Sequence, residues 1–363
     1  MHITIDTQAF KEILEIAAKV STKHITLPIL QAVLLTVTKE GLEVRATNLE
    51  IGVCGVLSGE VIEEGCVAVP APTLLYTVSL VTQKTITMTT EGDVLHIETH
   101  SSKTDIKTMG ASEFPLIPEI AAEPQKINGA LFALGIKTTA FTASQTSIRP
   151  ELGSIYVFQK KEHSLTFVAT DSFRLMEKTV PCKGVTLTES ILIPYKNALE
   201  LARVAELHPD DVTLAINENQ CALRAGNLYI TSRLVSGTFP DYERIIPKEF
   251  KTTAVLLVSD LALALKKTNI FLNKFMQLTL TLSESGITLS SQSGEFGATT
   301  ESIPGSVTGD ELRLNFNQRY IQDGIAHFTD DSVRIKFEGI GRSMVMENVH
   351  DVSLRYIVMP MNK

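Results

Sequence analysis

One short order of elements occurs three times along the sequence, and that repetition limits the possible folds more than any single residue does. Residues 2–20, 126–144 and 254–271 each read as a short strand running into an amphipathic helix. A strand-rich stretch follows each, then a second helix candidate at 69–81, 192–205 and 312–328. A paired-strand segment closes each copy. Repeated supersecondary units predict modules that stack or join into a curve, and a curve of equal units can close into a ring. The spacing divides the 363 residues into modules at 1–122, 123–250 and 251–363, each near the usual size of a domain. Many strands with two short helices per module predict an α+β class, with sheets that carry helices on one face.

The local signals agree with that order. Thr7 is placed to cap the first helix, and Phe10, Ile13, Leu14, Ala17 and Val20 fall on one helical face. A strand is expected over 29–38, a turn at Glu40 and Gly41, and a half-buried strand over 42–48, where Leu42, Val44 and Ala46 alternate with Glu43 and Arg45. Pro72 suits the first turn of the second helix. Hairpins are expected at 85–99 and 156–170. Proline-bearing loops at 110–120 and 239–247 close the first two modules.

Charge and composition narrow the function classes. Thirty-three basic residues stand against 41 acidic ones, a net charge of −8, which argues against a whole surface that grips nucleic acid but leaves room for a locally basic lining. Tryptophan is absent and aromatics are 6%, so a stacking platform for single strands is not expected. No apolar run approaches ~20 residues, and the first residues lack the pattern of a secretory signal, so a cytoplasmic chain is expected. Cys54, Cys66, Cys182 and Cys221 lie far apart without a CxxC pair and read as reduced core residues.

Catalytic signatures are missing. The sequence has no phosphate-binding glycine loop, no HExxH and no GxSxG elbow. His96 and His100, four apart, read as a solvated strand face, a third metal ligand being absent nearby. Asp171 reads as a turn residue after a strand. The alternative, an acid in a cleft enzyme, has no convergent base or nucleophile beside it. No catalytic residue, metal or cofactor is therefore expected, and a binding module is. Three segments stand out as binding surfaces: 169–175 with Phe173 and Arg174, 239–247 with Pro240, Tyr242 and Ile245, and the tail 355–363, where two methionines flank a proline. A peptide-binding scaffold that encircles nothing is the competing reading.

Seven segments resemble one family in the right order: TLPIL (26–30), ATNLEIG (46–52), FPLIPEI (114–120), ATDSFRL (169–175), FPDYERIIPK (239–248), LNFNQRYIQD (314–323) and YIVMPM (356–361). FPDYERIIP and the MPM tail are the most specific of them. Over its whole length the chain resembles the bacterial DNA polymerase III beta subunits, the replication sliding clamps. That resemblance implies a head-to-tail homodimer whose six modules close a ring around duplex DNA, helices lining the hole and sheets forming the wall. It implies a non-catalytic processivity factor that tethers the replicative DNA polymerase, the clamp loader and repair proteins through short linear peptides. The peptide would carry a glutamine and hydrophobic anchors.

By motif, the family's DNA contacts map to Lys11, Lys19, Lys23, His24, Lys137, Arg149, Lys196, Arg203, Lys266, Lys267 and Arg319. His24 stands where the family commonly carries arginine. Contacts of this kind go to phosphates, independent of base sequence and screened by salt. The peptide pocket maps to Leu152, Thr170, Arg174, Leu175, Pro240, Ile245, Ile357, Val358, Met359, Pro360 and Met361. Ser172 and Phe173 replace the family's common Gly-His before the arginine, which implies a bulkier rim. The dimer contact maps to Thr104 and Ile106 on the first module and to Ile270 and Phe271 on the third.

Overall fold

A computed structural model of the protein describes residues 1–21, 27–146, 148–210 and 212–361. The strand-to-helix order recurs three times, as expected. Strand His2–Asp6 enters α1 (Thr7–Val20), Gln125–Ile127 precedes α3 (Gly129–Ala140), and Thr252–Leu257 enters α5 (Val258–Thr268). The second helices are α2 (Ala71–Ser79), α4 (Tyr195–Leu207) and α6 (Gln318–Ile325). The cap of α1 differs from expectation. Asp6, not Thr7, accepts the Ala9 N–H at 2.9 Å, and Thr7 is already helical. Aspartate in extended backbone one residue earlier satisfies an orphan donor that Thr7 then cannot reach. The expected strand over 29–38 is shorter. Pro28–Gln31 forms a 3-10 turn, and the strand runs Ala32–Thr38. Proline at the first helical position favours that turn.

Among the described residues the strands gather into four sheets, and their pairings are antiparallel. The chain divides into two compact units. One comprises 1–133, 182–185 and 196–234; the other comprises 134–181, 186–195 and 235–363. In the first unit an eight-stranded sheet joins strands between Ala32 and Pro70 to strands between Gln125 and Arg233. In the second unit a nine-stranded sheet joins strands between Ser154 and Pro194 to strands between Thr252 and Val358. Residues 123–250 thus contribute strands to both units.

The core of the second unit lies on both faces of its large sheet. Met176, Leu354, Tyr356 and Val358 face one cluster with Leu261, Leu265, Phe316 and Phe337. Leu175, Ile357, Val345 and Val168 face the other, with Phe239 and Tyr242 packed on them. The alternation 354, 356, 358 against 355, 357 is the two-residue period of a strand. Burying side chains of this size fully stabilises each by about 1.5–3 kcal/mol relative to exposure.

Two side-chain expectations fail. Cys182 and Cys221 are buried, but Cys54 is half-buried and Cys66 is exposed, because both sit on the outward face of their strands. Cys54 donates to Glu43 at 3.0 Å, and burial with that carboxylate pushes its thiol up to about 12. His100 lies beyond strand Val94–Glu98, so it shares no strand face with His96, which instead meets Asp105 at 2.7 Å. No helix among the described residues is long and apolar enough to cross a membrane.

Candidate functional site

The site grows from a five-residue turn. Thr170 ends strand Ser164–Thr170, and Arg174 opens strand Arg174–Pro181. Thr170 donates its hydroxyl to the Arg174 carbonyl at 2.7 Å and accepts the Ser172 N–H at 3.1 Å. Asp171 Oδ1 accepts the N–H groups of Phe173 and Arg174, both at 3.0 Å. Asp171 is therefore the turn residue that its sequence position suggested, fixing the backbone rather than offering a free acid. Ser172 sits at φ +77°, and Phe173, pushed outward, is 59% exposed. Its carbonyl takes the Met359 N–H at 2.8 Å, which ties the tail to the turn.

Arg174 lies under this turn and binds three ways. Nη1 donates to Asp323 at 2.7 Å, Nε to Asp171 at 3.0 Å, and Nη2 to the Phe141 carbonyl at 3.3 Å. The guanidinium also stacks over Tyr320 at 4.7 Å and Phe141 at 5.3 Å. Burial works against its charge, but the Asp323 and Asp171 carboxylates outweigh that and hold its pKa above the ordinary value. His327, stacked on Phe141 with ring centroids 4.5 Å apart, has its pKa pushed down by burial.

Above Arg174 opens a cavity of about 240 Å³. Leu152, Thr170, Leu175, Tyr242 and Ile357 form its buried floor. Arg149, Ser172, Phe173, Pro240, Asp241, Ile245 and Met359 form its rim. An apolar floor with a few polar groups at the mouth suits an extended peptide with hydrophobic anchors. Eight of the expected pocket residues meet there: Leu152, Thr170, Arg174, Leu175, Pro240, Ile245, Ile357 and Met359. Three do not line it. Val358 is fully buried on the opposite face of its strand, as the alternation requires. Met361 turns away to donate its N–H to the Asn315 carbonyl at 2.8 Å, with Pro360 leading the chain there. Sequence reasoning left Asp323 out of the pocket's support, and only the fold brings it beside Arg174.

The residues expected to face DNA are spread over the helices. Lys23 and His24 lie outside the described residues. Arg149 lines the cavity and pairs with Glu151 at 2.8 Å, so its place is the pocket rim. Lys19, Lys137, Lys266 and Lys267 stand in last helical turns, where the helix dipole favours a cation on its own account. Lys267 is bound to Glu301 at 2.9 Å, and Arg203 lies 3.5 Å from Glu200, which offsets both charges. Lys11 is half-buried on α1. Lys196 and Arg319 are exposed in first turns, where the dipole opposes a cation by about 0.3–1 kcal/mol. Arg319 also lies 3.9 Å from Asp323 one turn along its helix, which offsets part of that cost.

The expected contact residues sit at sheet margins. Strand Lys103–Lys107 is an edge strand of the first unit's five-stranded sheet. Thr104 is half-buried, but Ile106 points inward and is only 4% exposed, so its side chain belongs to the chain's own core. A groove of about 310 Å³ beside that edge is lined by Tyr76, Leu80, Ile97 and Thr104 among others. In the second unit, strand Gly297–Ile303 is an edge, with Ile270 (66% exposed), Phe271, Phe275 and Phe296 in the same module.

Comparison with known proteins agrees over the full chain. Three family models match in succession: the DNA polymerase III beta subunit N-terminal domain over 1–118, its central domain over 126–241 and its C-terminal domain over 243–362. The chain belongs to the DNA polymerase III beta-subunit family. Among its relatives, the beta sliding clamp of Vibrio cholerae is 29% identical over 340 residues, covering 92% of each chain. The Pseudomonas aeruginosa beta sliding clamp is 27% identical and covers 99% of this chain and 100% of the relative. A crystal structure of the Pseudomonas aeruginosa clamp bound to griselimycin superposes with a TM-score of 0.93 at 26% identity, with both chains fully covered. The clamp fold of α+β modules expected from the repeat is the fold of this family member.

Proposed function

We propose that this chain is a replication sliding clamp, a non-catalytic processivity subunit that encircles duplex DNA and tethers the replicative polymerase through the cavity above Arg174. The observation that carries the reading is that cavity, framed by the 169–175 turn and residues 240–245, in a chain matched end to end by the beta-subunit models. The chain is read as three modules, 1–122, 123–250 and 251–363; three successive matched ranges support the threefold division, with the last of them beginning at residue 243.

Two copies join head to tail. Support comes from the unpaired edges Lys103–Lys107 and Gly297–Ile303, since an open edge in a soluble protein needs covering. Exposed Ile270 with Phe271 from one copy suits the groove of Tyr76 and Leu80 on the next, and a two-fold operation closes the pair. Thr104 and Ile106 then contribute their strand edge. Basic residues of the helices, Lys196 and Arg319 among them, meet phosphates; the contact carries no base specificity, as a sliding device requires. Other clients, the loader and repair proteins among them, use the same pocket by short peptides, in the cytoplasm. Tethering raises a polymerase's local concentration at the primer end without any new active-site contact.

Retention tests this reading. Placed on a nicked circular duplex by a loader, the protein should survive a high-salt wash and leave after the circle is cut. Equal loss from circle and linear DNA would reject encirclement.

A further inference from the structure

The cavity wall at residues 240–245 rests on the sheet through a chain of charges as well as by apolar contact. Tyr242, 5% exposed, donates its hydroxyl to Glu177 Oε2 at 2.5 Å. Glu177 also accepts Arg355 Nη1 at 3.3 Å, and Arg355 Nε reaches Glu347 Oε1 at 3.2 Å. Lys336 closes the row, 2.6 Å from Glu347. The signs alternate across four neighbouring strands, and both carboxylates are under 10% exposed. Burial disfavours the charge on Glu347, but Lys336 and Arg355 overcome it, and its pKa lies below the ordinary carboxylate value. Replacing such a buried row by apolar residues often leaves stability equal or higher, so stability alone does not account for it.

Its position does. Glu177 and Leu175 share one face of one strand; Arg355 and Ile357 share the same face of the next. Leu175 and Ile357 are cavity floor, and Tyr242 carries Pro240 and Ile245 of the rim. The hydrogen bonds among Tyr242, Glu177 and Arg355 therefore set the distance between the rim segment and the two floor strands. We propose that these three are positioning residues for peptide capture, holding the cavity at the width its hydrophobic anchors need. The inference rests on the peptide-pocket reading and adds to it the device that keeps the pocket open.

A double-mutant cycle tests it, using the full-length protein and a labelled synthetic peptide with a glutamine and two leucine anchors. Two substitutions keep the shape: Tyr242→Phe removes the donating hydroxyl, and Glu177→Gln removes the charge and one of the two acceptor oxygens that Tyr242 and Arg355 share. Each should weaken peptide binding about five- to tenfold, chiefly through faster dissociation, and the double variant should be no weaker than either single. Arg342→Ala, which removes an ion pair with Glu338 outside the cavity lining, should bind as wild type. Wild-type affinity in both single variants, or losses that multiply in the double, would overturn the positioning role. A lower thermal midpoint with unchanged affinity would make the row merely structural. If the wild-type protein itself ignores the peptide, the pocket reading falls first and takes the inference with it.

Discussion

The turn that frames the cavity in the second unit has a near-duplicate in the first unit, and the cavities beside the two differ greatly in size. Thr47–Ile51 repeats Thr170–Arg174 bond for bond. Thr47 donates to the Ile51 carbonyl at 2.9 Å and accepts the Leu49 N–H at 3.1 Å. Asn48 stands for Asp171, accepting the N–H groups of Glu50 at 3.0 Å and Ile51 at 2.9 Å. Leu49 and Ser172 are both left-handed, at φ +75° and +77°. Even the tie to the neighbouring strand recurs, Arg233 N–H to Glu50 matching Met359 N–H to Phe173, both at 2.8 Å. The difference is one residue further on. Leu175 opens the second unit's cavity floor, whereas Gly52 lets Ile117 fold in so closely that an added Cβ would lie 2.8 Å from it. The cavity left there is about 90 Å³ against about 240 Å³. A shared backbone scaffold does not make a receptor; what the adjoining loop places on it decides.

The largest effect should come from removing the tail wall, which would make the open copy useless. A chain ending at Val358 loses Met359 and the hydrogen bond to Phe173. Loss of an anchor of this kind commonly costs ~2 kcal/mol or more, so peptide affinity should fall at least thirtyfold in a fluorescence titration. Normal binding by the truncated chain would remove Met359 from the site. The next effect concerns the closed copy. Gly52→Leu gives it the residue that the open copy has, but Ile117 must then leave. Overpacking of this kind costs about 1–3 kcal/mol, which should lower the urea midpoint at unchanged slope. An unchanged midpoint would mean that residues 116–118 are only loosely seated.

Both copies were partly legible in sequence, since ATNLEIG and ATDSFRL can be read side by side. The strand-helix order was legible because hydrophobic period is a local property. What escaped were consequences of register and of distance along the chain. Val358 counts as a pocket residue by adjacency to Ile357, yet a strand turns neighbours to opposite faces. Asp323 is 149 residues from Arg174, and only packing makes it that residue's shortest ion pair. Asp6 displaced Thr7 as cap because two good capping residues stand together, and propensity does not choose between them. Cys54 and Cys66 were misplaced because an even composition of a strand does not say which face is wet.

The smallest effect isolates the backbone that the two turns share. A left-handed residue with a branched side chain costs about 1–2 kcal/mol relative to ordinary backbone, and asparagine tolerates that region far better. Leu49 is 43% exposed, so replacing it forfeits little burial. Leu49→Asn should therefore stabilise the protein by about 0.5–1 kcal/mol, read as a higher denaturant midpoint. Ser172→Gly at the matching position should gain less, because glycine also frees the unfolded chain. If Leu49→Asn instead lowers the midpoint, then Leu49 earns its strained place by packing with Leu116 over the small cavity, and the closed copy is held shut from both sides.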